Sequence, residues 1–118
     1  MGQALGNFMQ QLTQPSSLLV SAVFLRDDHL DIRFDGEFDE EDFDIATEVV
    51  LSQLTQVSIL EKIPGADRHN VRFRAQVAED FGYFVLNFEV YSQSCWLEPE
   101  SIDEQPLLEL ICGSLTGN

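Results

Sequence analysis

Hydrophobic positions recur along this chain with two periods, and the switches between them mark its elements. Leu30, Ile32 and Phe34 alternate with Asp31, Arg33 and Asp35, and Val71, Phe73, Ala75 and Val77 alternate with Arg72, Arg74 and Gln76. Alternation sends successive side chains to opposite faces, so both stretches read as half-buried strands. Residues 83–91 set Phe84, Leu86, Phe88 and Val90 on one face in the same way. Two shorter apolar runs complete the strand signal. Residues 18–25 lead into Leu30 through the turn Arg26-Asp27-Asp28-His29, and residues 57–63 are closed by Pro64-Gly65. The first pair reads as a β-hairpin; a two-residue and a three-residue loop put Phe24 on opposite faces and leave the register open. A four-residue loop over 79–82 pairs Ala78 with Tyr83, which sets Phe73 opposite Phe88 and Arg72 opposite Glu89.

Elsewhere the period is helical. Leu5, Phe8, Met9 and Leu12 form the stripe of a short helix over 3–12, ended by Pro15. Phe43, Ala46, Val50 and Leu54 share one side of a helix predicted over 39–54, with Asp39 as its N-cap. Leu107, Leu108, Ile111 and Leu115 give a final helix ending near Gly113 or Gly117. Ser101-x-x-Glu104 resembles a capping box, but Pro106 just beyond it would remove a ladder donor, so the start is set at Asp103 or Glu104. The order α-β-β-α-β-β-β-α predicts one α+β domain over 1–118: a largely antiparallel sheet of about five strands with three helices packed on it.

Composition agrees that the chain folds. Hydrophobic residues make up 44% of its 118 positions and nine are phenylalanine, which is far from the signature of an acidic disordered tail. Cys95 and Cys112 lack metal-ligand spacing and read as two buried thiols. The first twelve residues have neither the basic nor the apolar region of a secretory signal, and no stretch reaches the roughly 18 apolar residues of a membrane span. A cytoplasmic, non-membrane protein is expected.

Charge changes this picture most. Twenty-one acidic against six basic side chains give a net charge of −15, and seven of the ten residues at 35–44 are acidic. Residues 27–48 carry eleven acids against Arg33, whereas Lys62, Arg68, Arg72 and Arg74 face only Asp67 within 62–74. Part of the acidic run has a structural use, since Asp39 caps a helix and Glu40, Glu41 and Asp42 sit where the helix dipole favours negative charge. The remainder could hold a cation. Aligning Gly36 with the glycine of an EF-hand puts Asp31, Arg33, Asp35, Glu37, Asp39 and Asp42 at the ligand positions. Arg33 and the strand pattern of 30–34 argue against that motif and leave an irregular Ca²⁺ site at Asp35, Glu37, Asp39, Glu40 and Asp42. Asp27-Asp28-His29-x-Asp31 offers mixed ligands at the hairpin tip, from residues that are also ordinary turn formers.

Catalytic motifs are missing: the chain has no Gly-x-Ser-x-Gly, no phosphate-binding glycine loop and no His-Glu-x-x-His. His29 and His69 both fall in predicted turns. Direct nucleic-acid contact is disfavoured, because phosphates demand Lys and Arg that this surface lacks. Tyr83, Tyr91 and Val85 share the outer face of one strand and Trp96 follows it, open to a partner or covered by the 39–54 helix. The expectation is a non-catalytic protein that docks a basic protein partner through Asp35, Glu37, Glu40, Glu41, Asp44 and Glu48. The alternative is a calcium-binding or calcium-buffering protein using Asp35, Glu37, Asp39 and Asp42. A homo-oligomer formed along the strand at 57–63, as an exposed sheet edge, is compatible with both.

Overall fold

Alternation gives the central strands one apolar face, and the computed structural model, which describes residues 18–116, joins them with two edge strands in a single antiparallel sheet. Its strands are β1 (Leu19–Leu25), β2 (Leu30–Asp35), β3 (Thr55–Pro64), β4 (Arg68–Val77), β5 (Asp80–Glu89) and β6 (Ser94–Pro99). They lie side by side in the order β1-β2-β6-β5-β4-β3. β3 to β6 form a meander, and the β1–β2 hairpin adds to its β6 side. The link from β2 to β3 carries a 3-10 turn (Glu40–Asp42) and helix α1 (Phe43–Leu51) across to the far edge. A second 3-10 turn (Ile102–Leu107) leads into helix α2 (Leu108–Thr116).

Both helices cover the same face. Leu30, Ile32, Val71, Phe73, Phe84, Leu86, Phe88 and Leu97 from the sheet meet Ala46, Val50, Leu108 and Ile111 from the helices in one buried cluster. The architecture is an α+β domain of β-β-α-β-β-β-β-α order. Three sequence expectations change. Residues 94–99, given no element in the sequence reading, form β6, in which Cys95 and Leu97 are buried between the less buried Ser94, Trp96 and Glu98. The described residues therefore hold six strands and two helices; the helix predicted over 3–12 lies outside them. The second change is at 101–107. Ser101 does cap, accepting from the Asp103 N–H, and Pro106 is tolerated because the segment after the cap is a 3-10 turn rather than α-helix.

Strand register is the third change. The β4–β5 turn has two residues, Ala78 and Glu79, with Val77 opposite Asp80 and Ala78 at a φ of 59°. Phe73 therefore faces Phe84 rather than Phe88, and Arg72 faces Val85 rather than Glu89. The slip is an even number of residues, so every side chain keeps its predicted face. The hairpin closes through four residues, with Leu25 opposite Leu30, which puts Phe24 beside Asp31 on the uncovered face. Tyr83, Val85 and Trp96 lie on that face too, and α1 does not cover them.

Gly82 sets how closely the second 3-10 turn approaches the sheet. A Cβ there would stand 2.8 Å from the Phe84 ring and 3.0 Å from Leu107 Cδ1, inside a core with no slack. Gly82→Ala should cost about 1–3 kcal/mol by overpacking, read as a lower urea midpoint at unchanged m-value; a neutral result would show that the turn can lift without loss.

Candidate functional site

The acidic run leaves the sheet at Asp35 and is turned by Gly36, whose φ of 114° is open to glycine at little cost. Two phenylalanines within it point inward. Phe38, 2% exposed, meets Phe34 and Phe88 edge-on at ring separations of 5.8 and 5.7 Å. Phe43 stacks on His69 at 4.9 Å, the rings 7° from parallel. Gln93, in the turn between β5 and β6, clamps the same segment from its side. Its Oε1 accepts from the Phe38 N–H at 3.0 Å, and its Nε2 donates to the carbonyls of Phe38 and Val90 at 2.7 and 2.9 Å. Asp42 reaches back to accept from the Asp39 N–H at 2.9 Å, so the predicted helix start is present, with its first turn wound as 3-10.

With those rings and caps fixed, the acids have nowhere to go but outward. Asp35, Glu37, Asp39, Glu40, Glu41, Asp44 and Glu48 are all exposed, and Asp42 is half-buried. They line two concavities. At one end of the molecule Asp39, Glu40 and Glu41 face Asp67 and the 86%-exposed Tyr91 across a depression of about 460 Å³. Beside α1, a groove of about 660 Å³ runs between the helix and edge strand β3. Asp44, Thr47, Glu48 and Leu51 form its helix side, and Val57, Ile59 and Lys62 its strand side. Asp35 and Glu37 lie on the chain leading into the first depression.

Cations go to the other face. Arg26 pairs with Asp31 at 2.9 Å, Arg68 with Glu89 at 2.8 Å, and Arg72 with Glu100 and Glu61 at 2.5 and 3.3 Å. Arg33 lies over Phe24 and Arg74 over Phe81, at 5.5 and 4.4 Å from the ring centres. All five arginines are thus spent on the uncovered side of the sheet, on carboxylates or rings of that side. Among the described residues, only Asp44 within 35–44 touches a cation, Lys62 at 3.2 Å.

Metal geometry does not follow the sequence alignment. Asp31 and Arg33 are strand residues of β2, so no helix enters an EF-hand loop there, and Asp31 is held by Arg26. Among the described residues no three His, Cys, Asp or Glu side chains are grouped to hold a metal ion. At the hairpin tip the His29 ring nitrogens meet Asp28 at 2.7 Å and Asp31 at 3.3 Å, and the hydrogen bond from His29 holds the Asp28 carboxyl below its usual range. Cys95 is buried, its thiol pushed well up by desolvation; Cys112 is half-buried, and the two are not bonded. No described helix is long and apolar enough to cross a membrane.

Sequence reading found the exposed acids but not their surroundings. Asp67 was assigned to the positive zone, and Tyr91 to the outer face of the strand that carries Tyr83, whereas it stands beyond β5 at the depression; Gln93 and Thr47 carried no local signal, because each joins the site through tertiary folding. His69 was placed in a turn; it is a β4 residue 4% exposed, and neither ring nitrogen has a hydrogen-bond partner among the described residues. Burial holds its imidazole below the ordinary histidine range, assisted by Lys62 and opposed by Asp44.

Residues 20–116 match the model of a protein family of unknown function, DUF3630, and the chain belongs to that family. No curated protein and no solved structure matches it.

The clamp and the buried imidazole each predict a measurement. Gln93→Ala strands the Phe38 N–H and should cost about 1–3 kcal/mol of stability, with hydrogen exchange at Phe38 rising more than at β4 amides; uniform exchange would mean that the clamp is not what holds the segment. Because folding lowers the His69 pKa, the unfolded chain binds more protons below pH ~6.5, and stability falls with acidification. Between about pH 7.5 and 5.5 the urea midpoint should drop more steeply for the wild type than for His69→Phe; equal slopes would discount His69 as the cause.

Proposed function

We propose that this DUF3630 member is a non-catalytic protein that docks a basic protein partner through the carboxylate surface formed by Asp35, Glu37, Glu40, Glu41, Asp44 and Glu48. The observation that carries this reading is the sorting of charge. The arginines are engaged on the open sheet face, while the helix side presents acids with a single cation, Lys62, among the described residues. A surface of one sign creates a field that draws a partner of the opposite sign and orients it before contact. The two concavities give that field a shape, with Tyr91 standing exposed at one of them as an aromatic anchor of the kind enriched at interface centres.

Such docking depends on salt. The Debye length falls from ~10 Å at 0.1 M to ~3 Å at 1 M, so a partner captured from the source lysate at low salt should elute across that range. A variant carrying Asp35→Asn, Glu37→Gln, Glu40→Gln and Glu41→Gln leaves the capping pair Asp39 and Asp42 intact. It should fold with unchanged or higher stability and retain nothing; retention equal to wild type would sink the reading. Calorimetry with Ca²⁺ separates this reading from the cation alternative. Saturable binding in the roughly micromolar range, lost in Asp35→Asn/Asp39→Asn, would instead make the carboxylates a metal site.

A further inference from the structure

We infer that the groove between α1 and β3 is the point at which the basic partner inserts an arginine from an extended segment. This rests on the reading above and narrows it to one place and one side chain. The groove has three parts, and each sets a requirement. Leu51, Val57 and Ile59 supply an apolar stretch, with Ile59 46% exposed because β3 is the sheet edge and α1 does not reach over it. Asp44 and Glu48 stand one helical turn apart on the helix side, both exposed, like charges at a spacing that an isolated helix disfavours. Thr47 lies between them, 3% exposed, with a buried hydroxyl that has no hydrogen-bond partner among the described residues.

An unpartnered buried hydroxyl is uncommon, and here it borders a groove whose rim is negative. A lysine of this chain already meets one of the carboxylates: Lys62 reaches Asp44 at 3.2 Å across the mouth. Both ends of that pair are more than 40% exposed, so water screens it and an incoming cation can displace it at small cost. Glu48 has no cation at all among the described residues. The occupant must therefore cover aliphatic surface with its stem, bring several donors on a compact cationic head, and arrive on a chain thin enough to lie along a sheet edge. Arginine on an extended segment meets all three conditions. Its methylene stem lies on apolar surface, and its planar guanidinium carries five donors and is more weakly hydrated than an ammonium. An extended backbone along β3 finds no strand on its outer side among the described residues, the position at which strand addition occurs. The two register irregularities of β3 and Pro64 at its end shorten any such ladder, so side-chain capture has the larger share.

The test uses two synthetic peptides, acetyl-Ser-Val-Arg-Val-Arg-Ser-amide and its lysine counterpart, titrated into the ¹⁵N-labelled full chain at low salt. Amide shifts should centre on Thr47, Leu51, Ser52 and residues 57–62, with the arginine peptide binding more tightly than the lysine one. Asp44→Asn/Glu48→Gln should weaken the arginine peptide about tenfold. Ile59→Ser, an exposed-edge change that leaves the core intact, should reduce the preference for arginine over lysine. Shifts confined to Asp39, Glu40, Glu41, Asp67 and Tyr91 would overturn the groove while leaving the basic-partner reading in place. Equal affinity for the two peptides would overturn the choice of arginine. No shift with either peptide would remove both the groove and the acidic docking surface.

Discussion

Phe38 and Phe43 decide where the acidic segment goes. Seven carboxylates in ten residues repel one another in any conformation, and a segment of that charge without anchors stays solvated and unfixed. Burying each ring returns about 1.5–3 kcal/mol, and the rings are spent in different places: Phe38 against Phe34 and Phe88, Phe43 against Phe88 and His69. Those contacts tie the segment to β2, β4 and β5 at once. Gln93 adds a third attachment from the β5–β6 turn, made to backbone rather than to a ring. The meeting of Asp39, Glu40 and Glu41 with Asp67 across one depression is a consequence of this pinning.

The same sheet explains the separation of charge. Strand alternation sends Arg33, Arg72 and Arg74 to the face away from the helices, where their neighbours in space are Asp31, Glu61, Glu98 and Glu100. Arg72 is therefore neutralised within the layer that carries it, and Arg33 and Arg74 lie over rings of the same layer. The acidic segment, in contrast, is a crossover on the helix side and meets no strand carrying arginine on that face. Lys62 is the exception because its register position, opposite the buried Val71, turns it toward α1. Acids without a cation are thus gathered around the crossover, and that side carries the groove between α1 and β3.

Much of this was legible in the sequence, and what was not has a common cause. The faces of β2, β4 and β5 follow from parity alone, which is why a register four residues off still put Phe73 inside and Arg72 outside. β6 was missed because Cys95 and Leu97 are only two buried positions in a six-residue strand, too short an alternation to stand out beside Trp96. Pro106 misled for a different reason: it argues against α-helix at the first turn after Ser101, and a 3-10 turn escapes that argument. At the site, every exposed acid from Asp35 to Glu48 was found, because charge is a local property. Phe38 was overlooked among its acidic neighbours, although one large apolar residue in such a run must have a burial site. Gln93, Asp67 and Thr47 could not be found, since each gains its meaning from a residue distant in the chain or from the shape of the groove.

The acids differ in what they return to the fold. Asp42 closes half of a capping box, and Glu40 and Glu41 sit in the first turn after Asp39, where peptide dipoles favour negative charge. Asp35, Glu37 and Glu48 have neither a cap nor a cation among the described residues. Glu48 stands one helical turn from Asp44, a like-charge pair that weakens a helix by a few tenths of a kcal/mol. All three are exposed, so a neutral or basic side chain would fit at each without steric cost. A surface shaped by stability alone would mix its signs there, as the open sheet face does with its paired arginines. Proteins tolerate local instability where it serves a contact made elsewhere. The proposed partner supplies the missing counter-charge: repulsion carried by the free protein is relieved on docking, and that relief adds to the affinity and makes it dependent on salt.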